Sequence, residues 1–147
     1  MLKKLLPSLL LIAMLPVTSF AKTVIFSKEA PAPIGIYSQA IEYDGTVYLS
    51  GQIAIDPKTG ELVKGDFKQQ LKQALNNLSS VVKAADGELS DIVKVTIYLK
   101  DMHDYAMVNE VISEYFKQPY PARSVIGVKD LPKDATVEIE AIMAVKK

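Results

Sequence analysis

The sequence predicts an α+β domain in two layers, a mixed sheet with two helices packed on one of its faces. Three observations lead there. Strand-like segments occur at Thr23 to Phe26, Ala40 to Tyr43, Thr46 to Ser50, Ile92 to Lys100, Ser124 to Val128 and Thr136 to Val145, and two stretches with three- and four-residue apolar spacing interrupt them. The 147 residues leave room for one core and not for two. The last strand-like segment carries apolar residues on both of its faces, so the sheet has a second face that is not simply wet.

In chain order, Thr23 to Phe26 is a short strand, and Pro31 and Pro33 prevent regular pairing after it. Ile34 to Gln39 is an irregular, glycine-containing passage. Asp44-Gly45 between the next two segments is a two-residue hairpin signal, with Val47 and Leu49 on one face and Thr46, Tyr48 and Ser50 on the other. Asp56 to Gly60 is a turn. Phe67, Leu71, Ala74, Leu75, Leu78, Val82 and Ala85 then form one helical stripe. Asp66 and Gln69 supply a capping box at its start and Asp86-Gly87 a stop at its end.

Ile92 to Lys100 alternates, with Val93, Val95, Ile97 and Leu99 facing the core and Lys94, Thr96 and Tyr98 facing away. A second helix from about Tyr105 to Phe116 buries Tyr105, Val108, Val111, Ile112, Tyr115 and Phe116, and Pro119 and Pro121 end it. In the closing strand Val137, Ile139, Ala141, Met143 and Val145 meet the helices. Glu138, Glu140, Ile142 and Ala144 are left opposite, beside Tyr48, Thr96 and Tyr98. A subunit interface fits that mixed face, and an ordinary mixed solvent face is the alternative.

Residues 1–21 read as a cleavable signal peptide ahead of a domain at residues 22–147. Lys3 and Lys4 precede an apolar run from Leu5 to Val17, and Ser19 and Ala21 supply the small residues for cleavage before Lys22. As a helix that run rises only about 20 Å, short of a hydrocarbon core of roughly 30 Å. The expectation is a periplasmic protein with no stable membrane association after cleavage.

Removing Lys3 and Lys4 leaves 15 basic against 17 acidic side chains, a balance that offers no general attraction for nucleic acid. No cysteine is present, which excludes disulfides, thiolate nucleophiles and thiolate metal sites, and a single histidine, His103, excludes a histidine-rich one. No phosphate-binding glycine loop and no nucleophile elbow occur. No metal and no cofactor is expected.

Three residues stand out against that sparse background. Arg123, just behind Pro121, can clamp a carboxylate through two charge-assisted hydrogen bonds, or pair with a surface carboxylate. Glu140 can hold a water or shuttle a proton, or simply line a wet interface with Glu138. Tyr37, after Gly35 in a loop, can wall a pocket, or only pack.

G-I-Y-S-Q-A at 35 to 40, S-G-Q-I at 50 to 53, D-P-K-T-G at 56 to 60, V-K-V-T-I-Y-L-K-D-M at 93 to 102, N-E-V at 109 to 111, P-A-R-S at 121 to 124 and L-P-K-D-A-T-V-E-I-E-A-I at 131 to 142 together resemble the reactive intermediate deaminase family, RidA or YjgF. The resemblance runs from about Thr23 to the C-terminus. It implies a chorismate-mutase-like fold, a homotrimer with clefts between neighbouring subunits, and hydrolysis of small enamine and imine acids, such as 2-aminoacrylate and 2-iminopropanoate, to 2-oxo acids and ammonia without a cofactor. It also implies that Arg123 holds the substrate carboxylate, that Glu140 orients the attacking water, and that Tyr37 and Ser50 line the pocket. It further implies a supporting role for Asn109 and a substrate contact from the main chain of Val125.

Two departures stand out. Active members often carry proline after the first glycine and cysteine after P-A-R-S, where this chain has Ile36 and Val125. Ile36 frees a backbone that proline would hold, and the β-branch of Val125 is expected to narrow the cleft. A non-catalytic carboxylate-binding module and a chaperone-like protective protein of the cell envelope are the rival functions.

Overall fold

A computed structural model of the protein describes residues 21–145, so the signal peptide lies outside the described residues but for Ala21. The strands are β1 (Thr23–Ile25), β2 (Ala40–Tyr43), β3 (Thr46–Gln52), β4 (Ile92–Leu99), β5 (Ala122–Gly127) and β6 (Val137–Ala144), and the helices are α1 (Phe67–Ala84) and α2 (Tyr105–Tyr115). They form one six-stranded sheet in the order β1-β2-β3-β6-β4-β5. Every pairing is antiparallel except β4 with β5, whose parallel crossover is made by α2. This is the two-layer mixed sheet expected from the sequence.

The hairpin between β2 and β3 turns at Asp44 and Gly45, both at positive φ, which is why a short polar residue and a glycine stand there. Helix α1 begins on the expected capping box. The Asp66 carboxylate accepts from the Gln69 amide at 2.9 Å, and the Gln69 side chain accepts from the Asp66 amide at 2.9 Å. Leu71, Leu75, Leu78 and Val82 of this helix are fully buried against Val47, Ile97, Ile139 and Met143 of the sheet. At about 1.5–3 kcal/mol per fully buried aliphatic side chain, this layer is the main source of stability.

Two details depart from the alternation read in the sequence. Val93 is 51% exposed and Ile92 is buried instead, because the register between β4 and β6 shifts between Ile92 and Lys94 and so turns Val93 outward. Tyr105 is 41% exposed and lies outside the core, while Val108, Val111, Ile112 and Phe116 fill the buried side of that helix region and Tyr115 is half-buried.

Three buried amides fix the loops that border the sheet. Gln39 accepts from the Ser27 amide at 2.6 Å and donates to the carbonyls of Ser27 and Pro31. Asn77 of α1 donates to the carbonyls of Ile53 and Ile55 at 3.1 and 2.8 Å. Gln70 accepts from both the amide and the hydroxyl of Thr136. Each satisfies backbone groups that irregular chain cannot pair with itself.

Candidate functional site

All the predicted site residues but Val125, which lines neither, fall into two clefts on opposite faces of the sheet. The first opens where β3 meets β6. The register there shifts between Leu49 and Gln52, so Ser50 and Gly51 occupy an irregularity opposite Glu140. Tyr37, Ser50, Glu138 and Glu140 share this cleft of about 370 Å³. Ser50 donates to the Ser38 carbonyl at 2.6 Å and its amide bonds the Gln39 carbonyl, which joins the strand to the loop.

Tyr37 is placed by its own loop. Its amide bonds the Gly35 carbonyl at 3.1 Å and its hydroxyl accepts from the Ile34 amide at 3.2 Å. Ile36, at the apex, is fully exposed. The turn is therefore held by bonds from Tyr37 itself, without the ring that a proline supplies.

Glu140 accepts a hydrogen bond from the Tyr98 hydroxyl at 3.0 Å. The pair is diagonal across the ladder, since Tyr98 is in register with Glu138 and Thr96 with Glu140. Burial, with this bond behind it, pushes the Tyr98 phenol above its usual range and keeps it a donor. Glu138 projects from the same face over Gly51, where an added Cβ would fall 1.9 Å from its carboxyl oxygen. Burial first, and the neighbouring Glu140 second, raise the Glu138 carboxyl above the ordinary glutamate value.

The second cleft, of about 280 Å³, lies between β5 and α2 and is lined by Val95, Asn109, Tyr120 and Arg123, among others. Arg123 donates to Asn109 Oδ1 at 2.8 Å and to the Tyr105 hydroxyl at 3.2 Å, and its guanidinium sits 5.7 Å from the Tyr105 ring centre. Among the described residues no carboxylate forms an ion pair with it. The surface-pairing alternative for Arg123 therefore has no partner here. Val125, in register with Ile97, packs its half-buried side chain against the core.

Arg123 is in register with Val95, which faces the helices, whereas Glu140 is in register with Thr96, which faces away. Within one chain the sheet thus separates the guanidinium from the cleft of Tyr37, Ser50 and Glu140. Sequence reading missed Tyr98 and Tyr105 as partners of Glu140 and Arg123. The alternation placed Tyr98 on the right face, but only the register of two strands distant in sequence shows what it meets.

A two-layer domain that holds an oriented guanidinium without an ion-pair partner on one face and a carboxyl-lined cleft on the other has the means to bind a small carboxylate. The family model described as Endoribonuclease L-PSP matches residues 27–145. A RutC family protein of Pyrococcus horikoshii is 54% identical, covering 82% of this chain and 96% of that one. The 2-iminobutanoate/2-iminopropanoate deaminase of Mus musculus is 46% identical over 85% of this chain and 93% of its own. The crystal structure of YyfA, a Rid family protein of Yersinia pestis, superposes with a TM-score of 0.83 at 46% identity, covering 85% of this chain and all of that one. The chain belongs to the Endoribonuclease L-PSP family, the RidA family of the sequence resemblance.

Proposed function

We propose that the protein hydrolyses small 2-imino acids of the 2-iminopropanoate type to 2-oxo acids and ammonia, in clefts completed between copies of a homotrimer. The observation that carries this reading is Arg123, fixed by Asn109 and Tyr105 yet left without a carboxylate partner among the described residues. Deaminase relatives at 44–46% identity support the reaction class.

Arg123 of one copy clamps the substrate carboxylate from its place on the edge strand β5. A neighbouring copy presents Tyr37, Ser50 and Glu140, which the sheet keeps from Arg123 of their own chain. The main chain at Val125 extends the contact. The Tyr98 hydroxyl turns one Glu140 oxygen, leaving the other for water. Water oxygen bonds to C2, the C=N π pair moves to nitrogen, and Glu140 takes the water proton. Nitrogen takes that proton from Glu140 to give the amino alcohol, and the hydroxyl proton then passes to nitrogen as the C–N bond breaks with its electron pair on ammonia and the carbonyl forms. An imine carbon is already electrophilic, so orientation and modest proton transfer suffice.

Export to the periplasm is part of the proposal and is supported by the Lys3-Lys4 start, the apolar run and the small residues before Lys22. Among the described residues no helix is long and apolar enough to cross a membrane. The family description speaks of a ribonuclease, and the balance of 15 basic to 17 acidic residues in the exported part favours the small-acid reading over RNA.

The test is oxo-acid release from 2-iminopropanoate, generated in place from alanine by an amino-acid oxidase, with the purified protein and its Arg123→Ala variant. The wild type accelerates release and the variant falls to the buffer rate. Equal background rates for both, with thermal protection by an oxo acid, would make the protein a binding module. Suppression of client aggregation that is indifferent to Arg123→Ala, again without turnover, would favour the protective role.

A further inference from the structure

We propose that Glu138 is the acid partner of Glu140, holding the proton that the leaving nitrogen needs. The inference rests on the deaminase reading and adds to it a second carboxyl with a different task. Both glutamates line one cleft from one strand face, yet their surroundings differ. Glu140 accepts the Tyr98 hydroxyl on one of its oxygens. Glu138 is half-buried and lies over Gly51, the position in the irregular part of β3 where a side chain would collide with its carboxyl.

The groups facing Glu138 supply little positive charge. On β6 its neighbour is Glu140, and across the ladder on β4 it meets Tyr98. Tyr37 comes from the loop, and Ser50 and Gln52 from β3. Lys94 of β4 donates to the Ser124 hydroxyl and lines a neighbouring cleft beside Glu140, not the one that holds Glu138, and Lys100, just past β4, pairs with Asp134. Lys133, beside the Pro132 wall, reaches the Gly60 carbonyl. Arg123 of the neighbouring copy is neutralised by the substrate carboxylate it binds. Burial, and the neighbouring Glu140 on the same strand face, raise the Glu138 carboxyl above its ordinary value.

The reaction then balances within the pair. Glu140 starts as carboxylate and Glu138 protonated. Water bonds to C2 of the iminium acid, the C=N π electrons go to nitrogen, and the water proton goes to Glu140. Glu138 next protonates the nitrogen. The C–N bond breaks with its electron pair leaving on ammonia, while the hydroxyl proton returns to Glu138 and the carbonyl forms. Ammonia takes the proton from Glu140 and departs as ammonium, which restores the starting state.

The experiment measures kcat and KM against pH for 2-iminopropanoate with the wild type, Glu138→Gln, Gly51→Ala and the double variant. Thermal melting and solution mass are checked for each. The inference predicts that Glu138→Gln lowers kcat by about 100-fold with KM little changed and abolishes the alkaline fall of kcat. It predicts that Gly51→Ala, which displaces the carboxyl without removing it, lowers kcat less and costs almost nothing further once Glu138 is glutamine. Wild-type kcat and pH profile in a folded Glu138→Gln protein would reduce Glu138 to a wall of the cleft and overturn the inference alone. An inactive wild type would overturn the deaminase reading and the proton role with it. If Glu138→Gln fails to fold, Gly51→Ala decides: full activity with an unchanged pH profile overturns the inference.

Discussion

The two faces of β6 obey the same alternation and end in different surroundings. On one side Val137, Ile139, Ala141 and Met143 are sealed under α1 within a single chain. On the other, Glu138, Glu140 and Ile142 remain half-buried, with Tyr48 beside them half exposed. The sealed face can be closed by one chain because an 18-residue amphipathic helix covers it. The open face is left uncovered by any helix of the described residues. Stability and chemistry are therefore divided across a single strand, and substitutions on the two sides should fail in different ways.

The largest stability effect belongs to the sealed face. Leu75→Ala removes a fully buried side chain and is expected to destabilise by about 2–5 kcal/mol in denaturant melts, with kcat of the remaining folded protein unchanged. Asn77→Ala is the variant that joins the two sides. It leaves the Ile53 and Ile55 carbonyls without their amide donor and is expected to cost about 1–3 kcal/mol. Ile53 and Ile55 also wall the cleft of Glu140, so KM should rise as well, which a paired melt and rate measurement will register.

Asp66 lines neither cleft, so Asp66→Ala, which removes the helix cap, is expected to cost about 1 kcal/mol with no kinetic change. The smallest effect is a pH-dependent one on the open face. The folded-state pKa of Glu138 is raised, so folding is favoured most while the pH lies below the ordinary glutamate value, and that contribution is lost as pH rises through the folded value. Glu138→Gln cannot lose it. Its melting temperature should gain on the wild type between pH 4 and pH 8, and no change in that gap would remove the assigned burial cost.

Much of the sealed face was legible in the sequence because period and capping are local. The stripe from Phe67 to Val82, the Asp66 and Gln69 box and the alternation from Val137 to Met143 all stand as read. Val93 was misread because one extra residue in β4 is invisible to a period of two. Tyr105 was misread because a tyrosine at helical spacing looks like core until Arg123 arrives from a strand 18 residues on. The open face was legible by residue type only. Tyr98 and Glu140, 42 residues apart, meet through strand register, and the placement of Arg123 opposite Glu140 follows from the parallel β4 and β5 pair that no local pattern announces.

The most direct test of a site shared between copies is complementation. Arg123→Ala and Glu140→Gln chains, each inactive alone, are co-expressed, the mixed oligomers purified, and imine hydrolysis measured. Random assembly in a closed ring pairs an intact Arg123 with an intact Glu140 in about a quarter of the clefts, so about a quarter of wild-type activity is predicted. Mixed oligomers as inactive as either parent would place both residues in one chain's site and contradict the division across the sheet.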